Sequence, residues 1–355
     1  MLEIVEKLEL SVKNLEDKNF RIYFFVQDTR GNANASVRYI YQLALSLKQK
    51  GFNSSILHEK SDYVGVANWL GAEYMSELTH TAVEGTNLQI SPEDVVIIPE
   101  LFGYVMPQLT NLPCFKMVIC QSYDYIFETL QAGQSWAQLG FTKCITTSEK
   151  MKEYISSNMK NVSVDVINPI ISESFTPNKL PQKPVIGIHT REQRDTANLI
   201  KSFYNKFPQY RWISFKDLRG LSEQEFANSL KECMLSVWID PTSSFGTFPL
   251  ESMKCGVPVL GKVPNMSPEW INEDNGLWIQ DLLIFQDVIA DYIQNWMEDN
   301  ISEKIYNEGL KTSEQYSDKS KMGIEINNIF DRYISSRTAT FTEEINKHKN
   351  NEQLV

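Results

Sequence analysis

The stretch that most constrains this chain is residues 236–261, SVWIDPTSSFGTFPLESMKCGVPVLG. Residues 237–239 form a short apolar, β-favouring run, and Asp240, Pro241, Thr242, Ser243 and Ser244 are loop formers. Pro249 is tolerated only in the first turn of a helix, which Leu250, Met253 and Lys254 continue and Gly256 closes. Residues 257–260 then start another strand. A helix that begins beside a small-residue loop offers unpaired N–H groups and positive dipole potential, a seat for phosphate. Glu251 falls one turn inside that helix, within reach of a sugar hydroxyl such as that of a ribose.

Elsewhere the same alternation recurs. Residues 21–26 (RIYFFV) read as a buried strand, 27–34 (QDTRGNAN) as a polar loop containing Gly31, and 35–51 as an amphipathic helix stopped by Gly51. Strands follow at 52–57, 94–98, 115–120, 143–146 and 162–167, and most end in polar residues. Such strands separated by helical stretches predict a parallel sheet, whose strand ends line one edge. Glu100, Gln121, Tyr123 and Asp124 are therefore candidates for a cleft. A carboxylate there serves as a base or grips hydroxyls, and capping or solvation is the plain alternative. Residues 172–183, with two prolines, read as a linker, and 184–188 restart the pattern. The second half predicts a loop over 189–195, a helix over 196–207, a strand over 210–215 and a loop carrying Arg219. No catalytic histidine is read at an obvious strand end, which supports a non-catalytic alternative. Residues 1–18 predict an amphipathic helix, and 334–355 a loosely ordered polar tail or a short amphipathic helix.

The 236–261 stretch resembles the donor-binding motif of GT-B glycosyltransferases, especially the retaining family 4. Phe245, Gly246, Pro249, Leu250, Glu251, Met253, Cys255, Gly256, Pro258 and Val259 follow the family pattern, and Pro268, Glu269, Asn275 and Gly276 match a later loop. The resemblance spans roughly residues 21–333. The chain departs from the pattern at Ser243, where the family carries a glutamate that contacts the donor sugar, and its first loop lacks the frequent double glycine.

The resemblance implies an α/β GT-B fold with two Rossmann-like domains whose parallel sheets face a cleft. Residues 1–178 form the acceptor domain, with 1–18 as a helical extension, and 179–333 the nucleotide-sugar domain, its last helix crossing back to the first. By the same resemblance, Arg191 and Arg194 neutralise the donor diphosphate, with surface arginines beside Glu192 and Asp195 as the alternative. The helix start at Gly246, Thr247 and Phe248 supports them, Ser243 and Phe245 line the donor, Glu251 binds ribose, and Arg219 is a further phosphate candidate. Gly31 belongs to the first domain's ligand loop, and Glu100 and Asp124 are its candidate catalytic carboxylates. The implied reaction moves a sugar from a nucleotide diphosphate to an acceptor hydroxyl with retention, in surface polysaccharide or glycoprotein assembly, with no metal and no cofactor beyond the donor substrate. The acceptor is a glycan, free or linked to lipid or protein. The alternatives are a non-catalytic homologue acting as a binding subunit, a sugar-nucleotide epimerase and an inverting transferase.

Charge and cysteine usage narrow the setting. The net charge of −11 divides as −6 and −5 on either side of residue 178, which argues against a nucleic-acid surface and leaves peripheral membrane contact open. Five cysteines without a CxxC pair predict buried thiols in a cytoplasmic protein, and four scattered histidines predict no structural metal. The charged first twenty residues do not read as a signal peptide, and no apolar run is long enough to span a membrane.

Overall fold

A computed structural model describes residues 2–178 and 182–352, which cluster into two compact α/β units. Unit 1 comprises residues 1–146, 152–167 and 319–355, and unit 2 comprises 147–151 and 168–318. The division thus falls at 167 rather than at 178. The reason lies in residues 168–178, which pack as part of unit 2: Phe175 is fully buried there, and Asn178 N–H donates to the Cys255 carbonyl at 3.1 Å. The expected linker is therefore structured through residue 178; its residues 179–181 lie outside the described residues.

Unit 1 runs α1 (Leu2–Glu16), β1 (Arg21–Val26), α2 (Ala35–Gln49), β2 (Asn53–His58), α3 (Ala72–Glu77), β3 (Thr79–Ala82), β4 (Val95–Pro99), α4 (Met106–Leu109), β5 (Phe115–Cys120), β6 (Phe141–Thr146), α5 (Glu149–Asn158) and β7 (Ser163–Val166). The strands pair in parallel in the order β3-β2-β1-β4-β5-β6-β7. β1, β4 and β5 are buried along almost their whole length, as parallel strands covered on both faces must be. The Asn34 side chain caps α2 by accepting from Val37 N–H at 3.0 Å. α3 and β3 fall where the sequence showed only a polar stretch, because β3 (THTA) has no apolar run to announce it.

The C-terminal helix, Lys319–Glu352, belongs to unit 1 and packs along α1 and α2. Its Phe330 ring meets Phe52 at 5.5 Å, Tyr333 Oη donates to the Glu93 carbonyl at 2.7 Å, and Arg332 pairs with Asp165 at 2.7 Å. The helix does not stop at Tyr333. Phe341 and Ile345 are buried, so residues 334–352 continue it instead of forming a loose tail. The apolar residues are sparse there, which hid the helical period.

Unit 2 runs β8 (Lys183–Thr190), α6 (Gln193–Lys206), β9 (Ser214–Asp217), α7 (Glu223–Lys231), β10 (Cys233–Ile239), α8 (Thr247–Lys254), β11 (Val259–Lys262), β12 (Leu277–Ile279), α9 (Phe285–Met297) and α10 (Glu303–Glu314). Its parallel sheet has the order β12-β11-β10-β8-β9. One apolar cluster built on Trp238, Phe248, Leu250 and Trp270 covers one face; a second built on Ile188, Phe203, Val237 and Phe285 covers the other. The strand expected over 210–215 starts four residues late. Pro208 opens a 3-10 turn over Pro208–Tyr210, and the exposed Trp212 carries no strand pairing. The helix expected from 196 begins at Gln193, so Arg194 stands in its first turn and not in a loop. All five cysteines are buried free thiols. Among the described residues, no helix is long and apolar enough to cross a membrane.

Candidate functional site

In unit 2 the strand order reverses between β8 and β10, which opens a crevice at their carboxyl ends, the usual ligand position of an open α/β sheet. Arg191 is the first residue past β8. Its N–H donates to the Ile239 carbonyl at 3.1 Å, which extends the β8–β10 ladder by one step. Its Nη1 lies 3.6 Å from Asp240 Oδ1, the first residue past β10. The same Asp240 oxygen accepts from Thr242 N–H and Thr242 Oγ1, both at 3.1 Å. One carboxylate thus orders the 240–244 loop and holds a guanidinium at the crevice.

α8 begins at the end of that loop. Gly246 is its N-cap with φ +74°, and a Cβ there would lie 2.7 Å from the Trp238 indole. Left-handed backbone and close approach of a ring both demand glycine. Trp270 Nε1 donates to the Phe245 carbonyl at 2.8 Å and fixes the preceding residue. Gly246 and Thr247 remain half-buried at the helix start, whereas Phe245, Phe248 and Glu251 are buried. Ser243 is half-buried, and its N–H reaches the Asp240 carbonyl at 3.4 Å. Its neighbour Ser244 is buried at 3.0 Å from Thr147 Oγ1.

Two histidines stand at strand ends. His189 is the penultimate residue of β8 and stacks on Phe248, with ring centroids 5.0 Å apart. Burial pushes its pKa down; Arg219 pushes the same way, and Asp240 and Asp217 oppose them. His58 likewise stands at a strand end, as the last residue of β2. Both were legible from position, since each directly follows an apolar β run. Arg219 is turned onto its neighbour Asp217, its Nε 2.9 Å from Oδ1, and both keep partial exposure just past β9. Arg194 stands exposed in the first turn of α6. Arg191, His189, Arg219, Asp240 and the start of α8 thus share one end of the unit 2 sheet, as do the first residues of α6.

Unit 1 presents its own polar edge. Its strand order reverses between β1 and β4, and Glu100 directly follows β4. The Glu100 side chain is 4 % exposed, and its Oε1 accepts from Gln121 N–H at 2.9 Å and Ser122 N–H at 2.8 Å. Burial outweighs those donors and pushes its carboxyl up to about 7. Gln121 Nε2 donates to the Ser36 carbonyl at 3.1 Å, which ties β5's end to the start of α2. Asp124 lies three residues past Gln121, exposed, and accepts from Ser122 Oγ. Gly31 sits with φ +82° in the loop after β1, where an added Cβ would lie 3.7 Å from Val64. The structure therefore groups Glu100 with Asp124 through Ser122, and places Gly31 at the mouth of β1.

No family model matches the chain. A curated relative, the alpha-1,6-glucosyltransferase of Actinobacillus pleuropneumoniae serotype 7 (strain AP76), is 21% identical over 279 residues, covering 76% of this chain and 82% of that protein. Among solved structures, the sucrose-phosphate synthase of Thermosynechococcus elongatus superposes with a TM-score of 0.64 at 13% identity, covering 89% of this chain and 100% of that one. Anabaena HepE in complex with UDP-glucose gives 0.63 at 11% identity, with 88% and 99% covered. The chain has the GT-B fold of glycosyltransferases, two α/β units each built on a parallel sheet.

Proposed function

We propose that this protein is a glycosyltransferase that moves a hexosyl group from a UDP-sugar to an acceptor hydroxyl. The observation that carries the reading is the pairing of an α8 N-terminus, opened by the left-handed Gly246, with a guanidinium held by Asp240 at the β8/β10 reversal. Both features favour a diphosphate, the helix start through its N–H groups and Arg191 through its fork of donors. Support for the donor comes from the relatives: one is named a glucosyltransferase, and one was solved with UDP-glucose.

The mechanism follows from where charge develops. As the glycosidic bond breaks, the diphosphate gains negative charge, and fixed donors that meet it lower the barrier. Arg191 and the N–H groups of Thr247 and Phe248 supply that stabilisation in our reading, with Arg194 as a second cation from the first turn of α6. Glu251 holds the ribose, Ser243 or Thr242 faces the sugar, and Phe245, packed in the core against Tyr316, backs the loop. The leaving phosphate then acts as base toward the acceptor, which gives retention without a protein nucleophile, and these cations take the place of a metal. Glu100, with a carboxyl that titrates near neutrality, is the unit 1 group suited to the acceptor hydroxyl. Assembly of a surface glycan in the cytoplasm is the setting we assign.

Ser243 favours a second reading, a non-catalytic homologue that binds a sugar nucleotide. Calorimetry with UDP, UDP-glucose, GDP and ADP, in EDTA and in Mg²⁺, followed by release of free UDP in an acceptor screen, separates the two. Binding of UDP in EDTA with release of UDP supports the enzyme. Binding without release over any acceptor or hydrolysis supports the second reading, and no binding of any nucleotide overturns both.

A further inference from the structure

The mechanism above leaves out His189, the one histidine in the sequence of unit 2. Side chains alternate along β8. Ile186 and Ile188 join the cluster built on Phe203 and Phe285, so Gly187 and His189 face the other way. A Cβ on Gly187 would indeed lie 2.7 Å from Leu218, in the cluster that α7 and α8 cover. On that face the His189 ring stacks on Phe248, with centroids 5.0 Å apart and planes 19° apart, and Phe226 of α7 meets Phe248 at 5.8 Å. Phe248 is the second residue of α8. The imidazole therefore lies over the first turn of the helix that opens at Gly246. The ring is half-buried, and among the described residues no protein group hydrogen-bonds it. Stacking holds the ring, and its nitrogens are left for a ligand.

The charges around the ring keep it poised. Burial lowers its pKa, Asp240 opposes that, Arg219 adds to it, and Asp217 opposes it. Both carboxylates are already engaged, Asp240 by Arg191 and Thr242, and Asp217 by Arg219, on which Glu192 also acts. The first turn of α8 carries no acidic residue, and its Glu251 is buried one turn on. On α7, Glu223 accepts from Ser172 Oγ and Glu225 from Ser222 Oγ. Arg194 and Asp195 belong to the first turn of α6, whose Phe203 joins the opposite face. The net result in the free protein is a neutral imidazole. A diphosphate at this end of the sheet brings negative charge that acts against the burial, and a charged imidazole donates a stronger hydrogen bond to a phosphate oxygen than a neutral one.

We infer that His189 is a proton-linked contact to the donor diphosphate, neutral in the free protein and protonated when the donor is bound. The proton comes from solvent and stays on the ring; no covalent step is involved. The donor is then held more tightly as pH falls through neutrality. The inference rests on the glycosyltransferase reading, and adds to it a pH-dependent grip on the donor.

The test uses the full chain and UDP-glucose without acceptor. Both phosphates of that ligand are fully ionised diesters near neutral pH, so any proton taken up goes to the protein. Calorimetry in buffers of different ionisation enthalpy counts the protons, and NMR of ¹⁵N-labelled histidine follows the His189 titration. The expected result is net proton uptake on binding, a His189 titration moved to higher pH by UDP-glucose but not by uridine, and an affinity that rises about tenfold from pH 8 to pH 6. His189→Gln keeps an N–H for the phosphate but cannot ionise. It should bind nearly as the parent does at pH 8, take up no proton and lose the pH dependence, which a merely structural role would not do. Binding of UDP-glucose with an unmoved His189 titration overturns the contact and leaves the transferase reading standing. Proton uptake that persists in His189→Gln, or that uridine also causes, overturns it too. No binding of UDP-glucose by the folded chain overturns the donor reading and this inference with it.

Discussion

Trp238 and Gly246 fit only as they are: the indole fills the space where any Cβ at residue 246 would have to stand, 2.7 Å from the ring. Trp238 lies in β10 and Gly246 caps α8, so the packing of a core ring dictates where the helix opens. The α8 N–H groups are thereby aimed by the core and not by the loop. Gly246→Ala adds a side chain in the left-handed region, a strain of about 1–2 kcal/mol, and forces the indole to shift. The expected outcome is a lowered Tm and a loss of UDP binding larger than the stability change accounts for. Chemical denaturation and calorimetry on the same sample read the two effects. A variant that binds UDP like the parent would show that α8 does not face the diphosphate.

Arg191 and Arg194 make different predictions because the fold treats them differently. Arg191 is held by Asp240 beside the β10 end, whereas Arg194 is exposed on the first turn of α6. Arg191→Ala should reduce turnover about 10²–10³-fold, the scale for one preorganised donor to a developing anion. Because the side chain is partly exposed and surface pairs contribute little, its Tm should move slightly. Arg191→Lys keeps charge but loses the fork and should recover only part of the rate. Arg194→Ala should cost less than Arg191→Ala. If Arg194→Ala costs more, the assignment of the principal phosphate cation changes hands.

How much of this was readable in advance depends on what each residue does for the chain. The strand–loop–helix–strand order around Gly246 was legible because Pro249 and Gly256 bound the helix, and their backbone rules are local. β9 was misplaced because Tyr210 and Trp212 have strand propensity that a proline-led turn overrides, and β3 was missed because four residues carry little pattern. The C-terminal helix past Tyr333 was legible only as one of two alternatives, because it packs along α1, a tertiary contact that composition does not announce. Of the candidate residues, Glu100 was expected from its place at a strand end and Arg191 from the resemblance, and each directly follows a strand. The contact of His58 with His80 in unit 1 was not expected, since residues 22 apart meet only once β2 and β3 pair.

Glu100 supplies a pH prediction. Its folded carboxyl titrates near 7, above the 4.5 of an ordinary glutamate. A group whose folded pKa is raised contributes stability that is present below its unfolded pKa and lost as pH rises through the folded one. The protein should thus lose on the order of 3 kcal/mol of this contribution between pH 4.5 and 7. Glu100→Gln keeps an oxygen to accept from Gln121 and Ser122 N–H but cannot ionise, so its stability should be flatter across that window and higher than the parent's at pH 8. If Glu100 engages the acceptor hydroxyl, the parent's kcat/KM should rise with pH with a midpoint near 7, and the variant should lose both the rise and most of the rate. Urea titrations from pH 4 to 8 beside a pH–rate profile check both halves. Parent-like turnover in Glu100→Gln would leave the carboxylate a purely structural role.

Ser243 is where the chain leaves the pattern it resembles, and the structure gives a way to ask what the departure does. The residue is half-buried one turn before α8, and its N–H meets the Asp240 carbonyl at 3.4 Å. Its backbone is therefore held by the same Asp240 that holds Arg191. A glutamate placed there inherits a fixed starting point, and Asp240's charge is already countered by Arg191. A carboxylate that accepts from sugar hydroxyls contributes about 1.5–3 kcal/mol, against less for the shorter hydroxyl of serine. Ser243→Glu should therefore raise the affinity for UDP-glucose relative to UDP at least tenfold, with UDP itself unchanged. Calorimetry with the two ligands gives that ratio directly. An unchanged ratio would mean that residue 243 does not reach the sugar, and donor choice would then have to be sought elsewhere in the 240–247 loop.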